Sequence, residues 1–316
     1  MGTAAHEIIQ MYYEGNIKQE EMVQKYKEKL YELSLFDYKF DRTNEEKNNA
    51  ISNKYEKNLF HFFKNHKKPN FKTALEEFIL LKLNPKIYFQ GYIDCIHTTI
   101  GEKGREVFIT DFKTSSLYRG EALNEMAGQL LLYAMGIHQK TGIPYERIHI
   151  QFHFLKYLKC CIQRLNGKWM NTILERRNYT QHISNSIKAW LKNSSEDIDE
   201  LQLNLILEKA IKENSLDILS EDVKSKFILD DCIIEIPYNE GSIKKLTENI
   251  TKTISDIESK TSEYELSNFD DKKGTELFWN DITDKSSFFM ANLSEYSANL
   301  HKPYSKYLTQ KGYLNE

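Results

Sequence analysis

The chain of 316 residues could form one large domain or two small ones, and its 40% hydrophobic and 28% charged residues are ordinary for a globular protein. The net charge of −3 excludes a general electrostatic attraction to nucleic acid, so any phosphate contact requires a local basic surface. The four cysteines form no CxxC pair, which excludes a zinc ribbon, and the sequence has no signal peptide or long apolar run. We therefore expect a cytoplasmic protein that does not contact a membrane.

The predicted elements begin with a short helix at residues 3–14, which carries His6. Apolar residues at helical spacing predict further helices within 18–66. Three segments of strand character, a helix and an alternating strand follow, at 75–82, 87–98, 105–113, 121–140 and 147–157. Weaker patterns then predict helices near 170–192 and 197–214, a strand at 227–236 and a helix at 243–262, while the aromatic-rich tail at 263–316 has no assignment.

The order helix, three strands, helix, strand predicts an α/β fold with a mixed central sheet. We expect residues 1–160 to form this core, with a helical insertion at about 16–66. Residues 161–316 are expected to form a C-terminal extension of helices and strand that packs on the core and shapes access to its site.

Two aspartates stand out in neighbouring predicted strands, Asp94 in the first and Asp111 in the second. Residues 101–104 (GEKG) between them predict a reversal of the chain. A turn centred on the middle two residues would place Asp94 directly opposite Asp111, and Tyr92 opposite Lys113. Directly opposed residues share a face, with Cβ atoms about 5 Å apart.

Two carboxylates in this position repel each other unless a cation lies between them, and hard oxygen ligands favour magnesium or manganese. Lys113 shares their face and could stabilise charge at a phosphate or orient an attacking water. The opposite face is apolar and suits a core: Ile93, Cys95, Phe108 and Phe112. On pattern alone, an ordinary hairpin with a solvated charged face is an equally open interpretation, and a one-residue slip in register would abolish the pair.

Four stretches, in order, resemble the PD-(D/E)xK nuclease superfamily, in particular its RecB-like branch, which also includes the AddB nuclease and CRISPR-adaptation nucleases. Residues 2–7 (GTAAHE) resemble the first motif of that branch, and 91–94 (GYID) and 111–114 (DFKT) resemble its two catalytic motifs. Residues 129–134 (QLLLYA) resemble the branch-specific motif on the following helix. The resemblance implies a restriction-endonuclease-like core.

The resemblance also implies a role for each matching residue. Four groups would hold a Mg²⁺ or Mn²⁺ ion: His6, Asp94, Asp111 and the backbone carbonyl of Phe112. Three side chains would act in catalysis beside them: Lys113 as the catalytic lysine, with Gln129 and Tyr133 facing the site. Glu77 would be the upstream acid, with Glu76 as the alternative. Three residues after the catalytic strand are candidates for DNA contact: Thr114, Ser115 and Arg119.

Each of these assignments has a purely structural alternative. His6 could cap or pack a terminal helix, Gln129 and Tyr133 could be ordinary helix residues, and the glutamates could simply be solvated. The segment at 288–296 resembles a region where many relatives carry cluster-binding cysteines, but it contains none. We therefore expect no iron–sulfur cluster.

RecB-like relatives are mostly exonucleases that work beside helicases. We therefore expect a metal-dependent DNA exonuclease that processes linear single- or double-stranded ends in recombination or repair, with a helicase subunit or a fused helicase domain as its partner. Two alternatives are a structure-specific endonuclease on the same core and a catalytically silent DNA-binding or assembly subunit. The abundance of Lys, Asn and Ile fits a phage or a low-GC bacterium.

Overall fold

The computed structural model describes residues 2–36, 39–41, 43–194 and 199–266. The segment at 288–296, for which the sequence predicts no iron–sulfur cluster, lies outside the described residues. Within them, no helix is both long and apolar enough to cross a membrane.

A mixed six-stranded sheet forms the centre of the described structure, which confirms the predicted α/β fold class. Its strands are β1 (Thr73–Lys82), β2 (Tyr88–Gly101), β3 (Gly104–Lys113), β4 (Ile148–Gln163), β5 (Trp169–Glu175) and β6 (Phe227–Glu235). They lie in the order β1-β2-β3-β4-β5, and β6 pairs with β4 as well. Only the β3–β4 pair is parallel, because the chain crosses over between these strands through a helix.

The helices in the described residues are α1 (Gly2–Glu14), α2 (Met22–Leu35), α3 (Glu45–Asn65), α4 (Glu121–Met126), α5 (Gly128–Thr141), α6 (Tyr179–His182), α7 (Ser184–Asn193), α8 (Glu200–Glu213), α9 (Glu221–Lys224) and α10 (Glu240–Leu266). Residues 2–243 belong to one compact unit, and a second unit begins at Lys244. Residue 160 lies within β4, and β5, β6 and α6–α9 belong to the same compact unit as the preceding strands.

Helices cover the two faces of the sheet, and each face has its own apolar core. Ala5, Ile8 and Ile9 of α1 are buried at helical spacing and pack with α2, α3 and the side chains of Cys95 and Phe112. Ile96, the neighbour of Cys95, instead lines a cavity with Ile137 of α5. Because successive strand residues point to opposite faces, α1–α3 cover one side of the sheet and α5 covers the other.

The segment at 170–175 corrects one prediction. It forms β5, not the start of a helix, and the helices α6 and α7 follow only from Tyr179. Asn166-Gly167 provides the tight turn from β4, with Gly167 at a φ of +81°. The β-branched and aromatic residues after it then pair with the end of β4, where non-local pairing outweighs local helical spacing.

Close packing of α5 on β1 depends on Gly136. A Cβ atom at this position would lie 2.5 Å from Cγ1 of the buried Ile79. We expect Gly136→Ala to lower the free energy of unfolding by about 1–2 kcal/mol, since overpacking outweighs the better helix propensity of alanine. In an Ile79→Ala background the clash is gone, and the same substitution should become stabilising. Urea unfolding of the four proteins measures both effects, and an equal loss in the two backgrounds would contradict this account.

Candidate active site

The two predicted aspartates lie where β2 and β3 separate. The turn is centred on residues 102–103 as predicted, and the pairing runs regularly from Gly101–Gly104 to Cys95–Thr110. The next pair in this register would be Asp94 and Asp111, but the Asp94 carboxylate instead accepts a hydrogen bond from the N–H of Phe112 at 2.8 Å.

The predicted pairing of Tyr92 with Lys113 is wrong, because the two strands have separated before that point. On its other side, β2 continues to pair with β1, and Tyr92 lies opposite Phe78 there. Where the ladder between β2 and β3 ends, the carboxylate of Asp94 and the peptide N–H of Phe112 are joined by a hydrogen bond.

His6 reaches this point from α1. Burial of the alanines and isoleucines around it fixes the helix against the sheet, and the half-buried imidazole points to the end of β3. Its Nε2 lies 2.9 Å from the carbonyl oxygen of Phe112, and its Nδ1 lies 3.5 Å from Oδ2 of Asp94. The first motif and both catalytic motifs therefore meet around one peptide group.

Glu76, the alternative to Glu77, is the glutamate that joins this group. His6, Glu76 and Asp94 each offer a ligand atom, and these atoms all lie within 4.8 Å of one another. Glu76 has a φ of +49°, and it interrupts the β1–β2 pairing opposite Asp94. Glu77, the first choice from the sequence, forms an ion pair with Lys140 at 3.0 Å instead and lies outside the group.

Crowding of negative charge changes the acidity of Asp94. Burial and the neighbouring carboxylate of Asp111 raise the pKa of Asp94 to about 6, with a smaller contribution from Glu76. His6 and the N–H of Phe112 act in the opposite direction but do not cancel the effect. A carboxyl group with this shift is one that a bound cation would return to its ionised form.

Asp111 and Lys113 form a second part of the site. The Nζ atom of Lys113 lies 2.5 Å from Oδ2 of the buried Asp111, and 5.4 Å from the ring centroid of Phe152 on β4. Asp111 is not a member of the three-residue group, but its charge acts on Asp94. The arrangement places a cationic side chain beside the acidic cluster.

Gln129 and Tyr133 lie on the face of α5 that meets β2. The Gln129 amide donates to the Tyr133 hydroxyl at 2.6 Å. Burial raises the pKa of Tyr133, and the charges of Asp94 and Asp111 add to this while the bond from Gln129 opposes it. A Cβ at Gly91 would lie 2.9 Å from Cε1 of Tyr133, so glycine at this position admits the ring.

With this geometry established, the comparison with protein families is decisive. The model of the PD-(D/E)XK nuclease superfamily matches residues 1–216, which is more than half of the chain. The chain belongs to the PD-(D/E)XK nuclease superfamily. No curated protein matches it significantly.

Superfamily membership indicates which reaction this site supports. PD-(D/E)XK nucleases hydrolyse phosphodiester bonds of nucleic acids and typically use divalent metal ions. The donors gathered here fit such an ion, because carboxylate and carbonyl oxygens with one imidazole are suitable ligands for a hard or borderline cation. The raised pKa of Asp94 points the same way, since burial and the neighbouring carboxylate of Asp111 disfavour its ionised form, which a bound cation would favour.

The three residues predicted to contact DNA lie in the loop that follows β3 in this PD-(D/E)XK nuclease. Thr114 lies against the start of α1, with its Oγ1 3.3 Å from where a Cβ of Gly2 would be. The Oγ atom of Ser115 is buried and has no hydrogen-bond partner among the described residues. Arg119 is exposed. Only Arg119 is fully open to a ligand in this conformation.

Sequence reasoning missed a second polar cluster, which lies behind Phe112. Asp231 of β6 contacts His66 at 3.1 Å and His153 at 3.4 Å, and it also pairs with the buried Arg176. Burial opposes ionisation of Asp231, but the bond from His66 and the charge of Arg176 outweigh it and hold its pKa well below the usual range. These residues are scattered over more than a hundred positions, and no local motif announces them.

The opposite shifts of Asp94 and Asp231 predict opposite effects of the same substitution. Asp94→Asn should raise the free energy of unfolding in EDTA by about 1–3 kcal/mol above pH 6, because ionised Asp94 is disfavoured in the folded state. The gain should vanish below about pH 4, where the aspartate is protonated in both states. Urea unfolding across this range measures it.

Asp231→Asn is the matched control and should destabilise the protein at neutral pH, since its ionised form is favoured on folding. A destabilising Asp94→Asn at pH 8 would contradict the charge crowding at the site.

Proposed function

We propose that this chain is a magnesium- or manganese-dependent DNA exonuclease that acts on linear ends in DNA processing, recombination or repair. The observation that carries the proposal is the convergence of His6, Asp94 and the Phe112 carbonyl, with Lys113 beside Asp111. These groups come from α1, β2 and β3, and chance would not bring them to one point where two strands separate.

His6, Glu76, Asp94, Asp111 and the carbonyl of Phe112 are the groups proposed to hold the metal. A divalent cation bound there supplies Lewis-acid stabilisation of charge on a phosphate and lowers the pKa of water. The half-buried position of His6 and the burial of Asp111 keep these groups in a fixed arrangement.

Lys113 is proposed to act on the reacting phosphate. Hydrolysis forms one P–O bond to the water oxygen and breaks one P–O bond to a deoxyribose oxygen, while a proton passes from water to the departing oxygen. Negative charge grows on the phosphate oxygens during this exchange, and the ammonium of Lys113 can stabilise it. Asp111 and the ring of Phe152 hold that ammonium in place.

Gln129 and Tyr133 are proposed to position the phosphate or Lys113 from the α5 side. Their mutual hydrogen bond and the close contact of Tyr133 with Gly91 limit the rotation of both side chains. Thr114, Ser115 and Arg119 are proposed to contact the DNA backbone from the loop after β3. An exposed arginine at the mouth of an acidic site suits phosphate.

The finer assignment to an exonuclease rests on the resemblance to RecB-like nucleases. Two features that distinguish the resemblance, a histidine on the first helix and a glutamine–tyrosine pair on the helix after β3, lie beside the aspartates. A helicase subunit or fused helicase domain is the partner that we propose on the same ground.

Cleavage of matched linear and circular DNA, single- and double-stranded, tests this proposal. We expect linear DNA to be degraded with magnesium or manganese and to remain intact in EDTA. Asp111→Asn and Lys113→Met should each lower kcat by about a hundredfold or more, because the first removes a proposed metal ligand and the second removes the ammonium that stabilises charge on the phosphate. Lys140→Met is the matched control, and it should leave kcat unchanged because Lys140 pairs with Glu77 outside the site.

Each other outcome has a clear meaning. Cutting of circular DNA would replace the exonuclease with an endonuclease on the same core. Binding of DNA without cleavage under either metal would indicate a catalytically silent subunit. Equal loss of activity in Lys113→Met and Lys140→Met would show that the effect is not specific to this site.

The neighbouring glutamates provide a sharper test of the metal centre. Glu76→Gln should raise the metal concentration needed for half-maximal cleavage by about tenfold or more, because it removes a carboxylate from the ligand group. Glu77→Gln should leave this concentration unchanged, since its side chain pairs with Lys140. A metal titration of cleavage measures both, and the reverse order of effects would restore Glu77 as the upstream acid.

A further inference from the structure

The tip of the β1–β2 hairpin carries large side chains that nothing in the described structure covers. Phe78, Leu80, Tyr88 and Tyr92 are 45%, 51%, 55% and 58% exposed. We call these four residues the aromatic face. Isolated exposed apolar side chains are common, but four on one surface of two paired strands require an explanation.

The register of the hairpin brings these residues together. Phe78 pairs with Tyr92, and Lys82 pairs with Tyr88. The alternate residues point to the other side of the hairpin, where Gly136 of α5 lies against Ile79 and Tyr133 lies against Gly91. Because α5 occupies that side, the aromatic face points away from it.

The rings of Phe78 and Tyr92 leave their faces available. Their centroids are 5.5 Å apart with a 59° angle between the ring planes, so neither ring covers the other. A contrasting row of rings crosses β2, β3 and β4, where Phe108 stacks on His97 at 4.8 Å and 2° and on His149 at 4.5 Å and 12°. In that row the ring faces are stacked on one another, whereas the ring faces of Phe78 and Tyr92 remain free for a ligand.

Charge on the hairpin tip favours an anionic ligand. Residues 78–92 contain two lysines, Lys82 and Lys86, and no aspartate or glutamate. Neither lysine has a carboxylate partner among the described residues, and the ammonium of Lys82 lies 5.7 Å from the ring centroid of Tyr88. Exposed ring faces beside unpaired cations are the combination that binds single-stranded nucleic acid.

The aromatic face also continues directly from the candidate metal centre. The Phe78–Tyr92 pair lies two residues along β1 and β2 from Glu76 and Asp94, which is about 7 Å of strand. The nucleotide next to a phosphate at the metal centre would therefore lie within reach of these rings.

We propose that the aromatic face stacks on the bases of an unpaired nucleotide segment next to the phosphate that is cleaved. This inference rests on the proposed nuclease function and adds a substrate class to it, namely a single strand at the site. Bases in a duplex are stacked on one another and hide their faces, so a double-stranded end would first have to open.

The test compares two fluorescently labelled oligomers of equal length and charge, an oligothymidylate and the corresponding abasic oligomer. Binding is measured by anisotropy in EDTA, so that neither is cleaved. We expect the wild-type protein to bind the oligothymidylate at least tenfold more tightly, which corresponds to about 1.4 kcal/mol. The Phe78→Ala/Tyr92→Ala protein should lose this difference and bind both oligomers alike.

Three further proteins separate base stacking from other effects. Tyr92→Phe should retain the preference because it keeps the ring, and Phe36→Ala should retain it because Phe36 is exposed at the end of α2, outside the hairpin. Lys82→Gln should weaken binding of both oligomers equally, since it contacts phosphate rather than base. Thermal unfolding confirms that each variant is folded.

Equal affinity of the wild-type protein for both oligomers, or no binding of either, would overturn the inference. So would a dimer that the double variant dissociates in sedimentation, because the face would then belong to a second copy. Cleavage is assayed separately. Base-dependent binding without cleavage would reject the nuclease proposal alone, and cleavage without base-dependent binding would reject the aromatic face alone.

Discussion

The peptide group of Phe112 is the point on which the arrangement of the site depends. Its N–H donates to Asp94 at 2.8 Å, and its carbonyl lies 2.9 Å from Nε2 of His6. One residue of β3 thus fixes a side chain from β2 and a side chain from α1. The Phe112 ring is buried in the core that α1–α3 form on the sheet, so the packing of this core and the geometry of the site are set by the same residue.

The candidate site lies where the pairing of β2 with its neighbouring strands is interrupted. Backbone groups in a regular ladder are consumed by hydrogen bonds between strands, and none would remain for a ligand. At Asp94 the pairing fails on both sides, with β3 beyond Cys95 and with β1 at Glu76, whose left-handed φ of +49° costs on the order of 1–3 kcal/mol. The stability of the six-stranded sheet offsets this local cost in free energy. The carboxylates of Glu76 and Asp94 occupy the positions where the ladder is broken.

The sequence predicted the features of the fold and site that depend on local pattern. It failed where contacts with residues distant in the chain determine the structure. The turn at 102–103 set the register, and the alternation of the two strands placed Asp94 near Asp111. The sequence could not show which of Glu76 and Glu77 belongs to the site, because a kink in β1 changes the side of the sheet that each residue faces. The segment from Trp169 was misassigned as a helix, since only its pairing with the end of β4 makes it a strand.

The arrangement around Phe112 also depends on the cluster around Asp231, which lies outside the motifs. His153 lies beside Phe112 in the parallel β3–β4 pair, with ring centroids 5.7 Å apart, and burial lowers its pKa to about 3, so it is neutral there. Asp231 of β6 holds His153 together with His66 from α3 and the buried Arg176. Removal of the Asp231 carboxylate is expected to be costly, because it would leave the buried guanidinium of Arg176 without its counter-charge. Through Asp231, β6 therefore contributes to the packing behind Phe112, although it carries none of the motif residues.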